Sequence, residues 1–374
     1  MSLASKTENP PETGAARRVA AFEVFYRRYL EENGEPCAEL PGFASDPAAL
    51  APLYRTMVLT RIFDEKAIAL QRTGRLGTYA SALGEEAVGV GVASAMQPGD
   101  VLLPSFREQA AQIWRGAKLT ELLLYWGGDE RGSAFEGPAE DFPICVPVGT
   151  QFPHGCGVAL AFKRRGEARA AVCVGGDGAT SKGDFYEALN IAGVWRLPVV
   201  FVIANNQWAI SVPRSAQSAA ETLAQKAIAA GIPGEQVDGN DVIAVREASE
   251  RALARARAGE GATLIEALTY RLADHTTADD ARRYREDTEV SARWKAEPVA
   301  RLRNFLVARA VWTKEDEEGL RTACTKEVEE AVEAYLNASP APPTAMFDHL
   351  FQKLPHALTA QRRALAAGPE DGDA

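Results

Sequence analysis

Two polar clusters in the chain directly follow short apolar runs rich in valine and isoleucine. Asp177 lies in Gly176-Asp-Gly178 after the first run, and Asn206 ends Asn205-Asn206 after the second. Each run predicts a buried parallel strand, and ligands of open α/β sheets bind beyond the carboxyl ends of such strands. A carboxylate, an amide oxygen and a main-chain carbonyl beyond Asn206 would leave positions on Mg²⁺ for diphosphate oxygens and water. The pair therefore predicts half of a magnesium-diphosphate site.

The distance along the chain between the two clusters decides how they meet. An aspartate in a glycine-flanked turn is by itself more often a turn former than a metal ligand. Residues 179–204, however, provide room for one helix and one strand. Because such a crossover joins neighbouring parallel strands, Asp177 and Asn206 are expected at the same edge of one sheet.

The elements that must position these residues alternate between strand and helix, which predicts an α/β fold: a parallel sheet with helices on both faces, plus helical N- and C-terminal extensions. Periodicity predicts helices at 47–73, 84–95, 155–163, 184–195, 219–230 and 242–258, strands at 101–104, 170–174, 199–203 and 263–270, and a loop at 271–285. The predicted domains are a partly disordered extension (1–46), the ligand-binding α/β domain (47–290), a helical extension (291–358) and a tail (359–374).

Composition excludes several classes of protein. The net charge of −10, without a concentrated basic stripe, argues against nucleic-acid binding. The five cysteines are scattered and odd in number, so neither a disulfide framework nor a zinc site is predicted. No apolar run approaches the roughly 20 residues that span a bilayer, and no secretory signal pattern is present. A cytoplasmic protein without a membrane partner is expected.

The two clusters, in this order, resemble the cofactor motif of thiamine-diphosphate-dependent enzymes. The resemblance is closer to the E1 alpha subunits of 2-oxo acid dehydrogenase complexes and covers roughly residues 47–355. Several motifs in the family's order carry it: Arg75-Leu-Gly-Thr-Tyr79, Gly84-Glu-Glu-Ala87, Ser105-Phe-Arg-Glu108, Gly176–Asp184, Asn205-Asn-Gln-Trp-Ala-Ile-Ser211, His275-Thr-Thr-Ala-Asp-Asp280 and Tyr284-Arg285.

The resemblance implies thiamine diphosphate and Mg²⁺ as cofactors. It implies that Asp177 and Asn206 bind the metal by side chain and Trp208 by its main-chain oxygen, and that His275 acts in catalysis. The residues implied to bind the cofactor are Phe106, Arg107, Val146, Val148, Asp177, Gly178, Ala179, Asn206, Trp208 and His275. Phe106 stands where many relatives have tyrosine, and Glu85 where glutamine is frequent, with an effect that the sequence leaves open.

The resemblance also implies partners. The chain shows one diphosphate-binding domain and no second α/β domain to supply the glutamate that activates the cofactor, so an E1 beta subunit in an α2β2 heterotetramer is expected. The expected reaction is oxidative decarboxylation of a 2-oxo acid, pyruvate being favoured, with acyl transfer to the lipoyl domain of an E2 acyltransferase. Three alternatives stay open: a branched-chain substrate (3-methyl-2-oxobutanoate), a self-contained homodimeric decarboxylase, and a non-catalytic regulatory protein on the same fold.

Overall fold

The computed structural model describes residues 19–348 and 350–367. The expected disorder at the start of the chain, the end of the predicted tail and His349 fall outside these residues. The chain divides into two compact units, one ending at Val332 and one beginning at Glu333, and every site residue named below belongs to the first. No helix in the described residues is long and apolar enough to cross a membrane.

A six-stranded sheet, parallel throughout, organises the first unit in the order β1-β7-β8-β4-β3-β2. Its strands are β1 (Tyr26–Arg27), β2 (Val101–Leu103), β3 (Ala171–Gly176), β4 (Val199–Asn205), β7 (Gly234–Asp238) and β8 (Thr263–Leu268), and a separate two-stranded hairpin pairs β5 (Trp208–Ala209) with β6 (Val212–Pro213). The predicted parallel α/β sheet with flanking helices is confirmed.

Thirteen α-helices lie in the described residues, and most of the predicted helices are among them. They are α1 (Ala51–Arg72), α2 (Glu86–Ala95), α3 (Gln109–Arg115), α4 (Leu119–Trp126), α5 (Gln151–Arg165), α6 (Gly183–Val194), α7 (Arg214–Gln217), α8 (Lys226–Ala229), α9 (Val242–Arg257), α10 (Asp287–Arg293), α11 (Pro298–Ala308), α12 (Lys314–Leu336) and α13 (His356–Ala367). The carboxylate of Asp241 accepts hydrogen bonds from the main-chain N–H groups of Ile243 and Ala244, which explains the start of α9.

Two expectations about secondary structure are wrong. The predicted helix 219–230 is reduced to the single turn of α8, because the main-chain N–H of Ala224 donates to the buried carboxylate of Glu266 on β8 at 3.0 Å. The described part of the N-terminal extension is not α-helical: it holds β1 and a short 3-10 turn at Gly42–Ala44. The predicted loop 271–285 is confirmed, and it contains one 3-10 turn at Ala281–Arg283. Strands β1 and β7 were not predicted at all.

The central strands β3 and β4 pair in register from Ala171 with Val199 to Gly176 with Ala204. All seven residues of β4 are buried, as are the first five of β3. Burial of one valine or isoleucine side chain contributes about 1.5–3 kcal/mol, so these two strands anchor the sheet. Their carboxyl ends therefore hold Asp177 and Asn206 at one edge on a rigid base.

Candidate active site

A cavity of about 600 Å³ opens at the carboxyl ends of β3 and β4. All ten residues predicted to bind the cofactor line it: Phe106, Arg107, Val146, Val148, Asp177, Gly178, Ala179, Asn206, Trp208 and His275. Val146 and Val148 are half-exposed at its rim, whereas Asp177 and Asn206 are buried. The fold thus brings together residues that are up to 169 positions apart in the chain, Phe106 and His275 being the furthest (275 − 106 = 169).

Asp177 begins the turn that follows β3. Its carboxylate accepts one hydrogen bond from the side-chain amide of Gln217 at 2.6 Å, and burial raises its pKa. The buried Lys226 stabilises this turn, because its ammonium donates to the main-chain oxygen of Thr180 at 2.8 Å. A Cβ atom on Gly178 would lie 2.6 Å from the Cβ of Ala209, so only glycine fits beside the hairpin at this point. The carboxylate is therefore fixed where it faces the cavity.

Asn206 is oriented by Glu85, the residue whose effect the sequence left open. The amide nitrogen of Asn206 donates to Oε1 of Glu85 at 2.8 Å, and its amide oxygen accepts from the main-chain N–H of Trp208 at 3.2 Å. Because the nitrogen is taken up by a carboxylate, the oxygen is the atom directed towards the Trp208 hairpin. Burial raises the pKa of Glu85 to about 7, opposed by the nearby Arg107 guanidinium.

Arg271 holds the hairpin that carries Trp208. This arginine is fully buried and donates to the main-chain oxygens of Trp208 at 3.1 Å and Ile210 at 2.9 Å. A carbonyl oxygen has two lone pairs, so that of Trp208 can accept this bond and still face a ligand. Ile210 has a φ of 55°, a left-handed conformation that is rare for a β-branched residue. The two bonds from Arg271 therefore hold a strained hairpin in place.

Arg107 forms part of the cavity wall, and the N–H groups of its guanidinium already have partners within the chain. Its guanidinium donates to the main-chain oxygens of Ser81 at 2.5 Å and His275 at 3.0 Å, and its Nε lies 3.4 Å from Oε1 of Glu85. Each guanidinium nitrogen thus has a partner in the chain. A bound diphosphate would have to share these donors, so the diphosphate contact of Arg107 stays a prediction.

His275 lies between two arginines. Nδ1 of its imidazole is 3.3 Å from an Arg107 nitrogen and 3.4 Å from an Arg271 nitrogen. A guanidinium can only donate, so Nδ1 must be the acceptor and the neutral ring carries its proton on Nε2. Burial, with both arginines, lowers the pKa of His275 to about 4, and only Asp279 opposes this. The ring can therefore offer an Nε2–H donor at neutral pH.

The pKa of His275 should respond to an anion in the cavity. In the free chain the proton uptake of His275, followed by histidine NMR, is expected near pH 4, and inorganic pyrophosphate with Mg²⁺ should raise this pKa by stabilising the imidazolium. The unfolded chain takes up this proton near its ordinary pKa of 6.5, so protonation should also lower folding stability as pH falls from 6.5 to about 4. An unchanged His275 titration at saturating pyrophosphate would contradict an anion site beside this ring.

The donor set suits Mg²⁺. The described residues hold no group of three or more histidine, cysteine, aspartate or glutamate side chains that could bind a metal. Mg²⁺, however, is held in proteins by one or two carboxylates together with substrate phosphates and water. Burial raises the pKa of Asp177, and Arg271 and Arg214 oppose this only from a distance, since neither forms an ion pair with it in the described part of the chain. A buried carboxylate without a paired cation is the partner that a bound Mg²⁺ would need.

Among the cavity residues that sequence reasoning did not predict as ligand-facing groups are Glu85, Glu108, Trp126 and Arg271. The signal for Arg271 was present, because it follows β8, the strand next to β4, at the same sheet edge. Burial raises the pKa of Glu108 to about 7, and its carboxylate accepts from the main-chain N–H of Arg107 at 3.0 Å. Trp126 at the end of α4 had no signal, because α4 itself was not predicted.

Comparisons of the sequence with known proteins identify its family. Residues 54–344 match the model of a family described as the dehydrogenase E1 component. A pyruvate dehydrogenase E1 component subunit alpha from Staphylococcus aureus is 41% identical over 336 residues, which cover 89% of this chain and 90% of the relative. The subunit of the same description from Staphylococcus epidermidis shows the same identity and coverage.

Proposed function

The chain belongs to the dehydrogenase E1 component family, and from this premise we propose that it is the alpha subunit of a pyruvate dehydrogenase E1 component. The observation that carries the proposal is the convergence of all ten predicted cofactor residues on one cavity. When bound, thiamine diphosphate supplies the nucleophile that attacks the 2-oxo acid and the electron sink for loss of CO₂. The chain's own residues must bind and orient it.

We assign each part of the cavity wall a role in this binding. Asp177, the amide oxygen of Asn206 and the main-chain oxygen of Trp208 would hold Mg²⁺, whose charge would offset that of the diphosphate. Arg107 contributes positive charge, and the Nε2–H of His275 donates to the diphosphate or to the reacting substrate. Val146, Val148 and Phe106 present apolar surface to the rings of the cofactor. Phe106 lacks the hydroxyl of the tyrosine that many relatives have at this position. It keeps an aromatic contact, with its ring centroid 5.8 Å from that of His275.

Pyruvate is favoured as the substrate by the cavity's bulky walls and by the relatives' descriptions. Trp126 and Ile210 join Trp208 in lining the cavity, and we infer that such bulky side chains favour a small acyl group. We further propose an E1 beta subunit and an E2 acyltransferase with a lipoyl domain as partners, in an α2β2 assembly. The cytoplasmic location stays a prediction.

Rates of the reconstituted complex test the substrate. With beta subunit, E2, thiamine diphosphate and Mg²⁺, kcat/KM for pyruvate should exceed that for 3-methyl-2-oxobutanoate by at least about tenfold, since the branched acid carries two further methyl groups and each misfitting one costs about 1–3 kcal/mol in a close-packed pocket. A preference for the branched acid would make the chain a branched-chain E1 alpha subunit. Binding of the cofactor without turnover of any 2-oxo acid in the full complex would instead favour the regulatory alternative.

A further inference from the structure

Asp64 is a buried carboxylate in the middle of α1 that does not line the cavity. It accepts hydrogen bonds from the hydroxyl of Tyr79, from Oγ of Ser81 at 2.7 Å and from the main-chain N–H of Ala82 at 2.6 Å. One side chain therefore fixes the irregular segment 79–82, which has no helix or strand of its own.

The segment 79–82 is connected to His275 by two separate routes. Through the first, the main-chain oxygen of Ser81 accepts from the guanidinium of Arg107 at 2.5 Å, and Arg107 donates in turn to the main-chain oxygen of His275 at 3.0 Å. Through the second, the main-chain N–H of Tyr79 donates to Oγ1 of Thr277 at 3.0 Å, and the N–H of Thr277 donates back to the oxygen of Tyr79 at 2.9 Å. Thr277 lies two residues beyond His275. The segment 79–82 therefore contacts both Arg107, which faces the imidazole, and the loop that carries His275.

Burying a carboxylate at this position costs free energy of folding, which argues against a role of Asp64 in stability alone. Moving a charge out of water is unfavourable, and well-packed apolar residues often replace buried polar groups without loss of stability. Burial raises the pKa of Asp64 to about 7 in spite of its three donors. The cost is understandable if the carboxylate orders a segment that must stay rigid beside the reaction site.

We propose that Asp64 is a positioning residue, which acts through Tyr79 and Ser81 to hold Arg107 and the His275 loop in their working arrangement. Its effect on catalysis rests on the proposed function, but its effect on the geometry does not. The groups that face His275 are the cations Arg107 and Arg271 and the carboxylate of Asp279, whose Oδ2 accepts from the main-chain N–H of His275 at 3.0 Å. If Asp64 no longer orders the segment, Arg107 should move away from Nδ1 while Arg271 and Asp279 keep their contacts.

The test compares two tyrosines that are matched in burial. Tyr79→Phe removes the hydroxyl that donates to Asp64, and the control Tyr54→Phe removes a hydroxyl that donates to Glu317 at 2.7 Å; both rings are fully buried. Asp64→Leu removes all three acceptor contacts, and Asp64→Asn keeps the shape and part of the acceptor capacity. Thermal unfolding of each full-length variant reports the loss of stability alone.

The readout is the pH dependence of ethoxycarbonylation of His275 by diethyl pyrocarbonate, measured on its peptide by mass spectrometry. Between pH 5.5 and 7.5 the rate should be constant in the unmodified sequence and in Tyr54→Phe, because the neutral ring reacts throughout. In Tyr79→Phe and Asp64→Leu the rate should fall towards pH 5.5, because loss of Arg107 from Nδ1 lets the ring take up a proton. Turnover in the complex should fall about 100-fold in Asp64→Leu and recover by at least about tenfold in Asp64→Asn.

The outcomes separate this proposal from the proposed function. A His275 profile that is unchanged in both Tyr79→Phe and Asp64→Leu overturns the positioning role, whatever the complex catalyses, and the profile of Tyr79→Phe decides the matter alone if Asp64→Leu does not fold. A changed profile in Tyr79→Phe but not in Tyr54→Phe supports the role, even if the complex decarboxylates no 2-oxo acid.

Discussion

Replacement of Asp177 by asparagine is expected to weaken Mg²⁺-dependent binding of thiamine diphosphate by about 150- to 5,000-fold, since removing one partner of a buried ion pair costs about 3–5 kcal/mol. Asparagine keeps an oxygen that can accept from Gln217, so the turn after β3 should still form. What is lost is the negative charge, which the proposed Mg²⁺ needs to stay bound beside the cavity. Calorimetric titration of the cofactor at saturating and at zero Mg²⁺ measures the effect.

Asp184→Asn is the matched control for Asp177→Asn. Asp184 lies seven positions further along (184 − 177 = 7), is half-exposed in the first turn of α6, and its carboxylate is 3.6 Å from the ammonium of Lys182. Neither Asp184 nor Lys182 is among the residues around the cavity. The control should change the dissociation constant by less than about fivefold, because exposed ion pairs contribute about 0–1 kcal/mol. Normal Mg²⁺-dependent affinity in Asp177→Asn would refute the metal site.

The isolated alpha chain is expected to decarboxylate pyruvate at least about 1,000-fold more slowly than the assembled enzyme, because loss of a general acid–base group costs about 10²- to 10⁴-fold. Among the described residues two glutamates line the cavity, and the carboxylate of each already accepts a hydrogen bond from another residue. Glu85 accepts from the amide of Asn206, and Glu108 accepts from the main-chain N–H of Arg107. Asn206 and Arg107 are proposed to bind the metal and the diphosphate, so both glutamates lie at that end of the cavity. We therefore expect the activating glutamate to come from the beta subunit.

Release of CO₂ from pyruvate, measured with the alpha chain alone and after addition of the beta subunit, tests the shared site. Cofactor affinity of the alpha chain is measured in parallel, so that weak activity is not confused with an empty site. Full activity of the alpha chain alone would refute a shared site. In that case Glu85→Gln and Glu108→Gln, each assayed in the alpha chain, would locate the glutamate within this chain.

Residues close to a predicted strand end could be identified from the sequence. Asp177 and Asn206 each follow an apolar run, and a single crossover forces their strands together, as the pairing of β3 with β4 confirms. The same rule identifies Arg271, because this residue follows β8. It does not identify Glu85, which lies directly before α2, or Asp64, which lies in the middle of α1, because helical periodicity describes burial but not which polar groups meet.

The sequence by itself determined the parallel α/β fold, the two strand ends that carry Asp177 and Asn206, and the order of motifs that places the chain in its family, because these depend on local periodicity and short connections. Only the tertiary structure decided that Glu85 orients Asn206, that two arginines fix the tautomer of His275, and that Asp64 reaches the same ring through the segment 79–82. It also decided the placement of β7 beside β8 and the loss of the predicted helix 219–230. These features rest on contacts between residues far apart in the chain, where buried hydrogen bonds override local propensity.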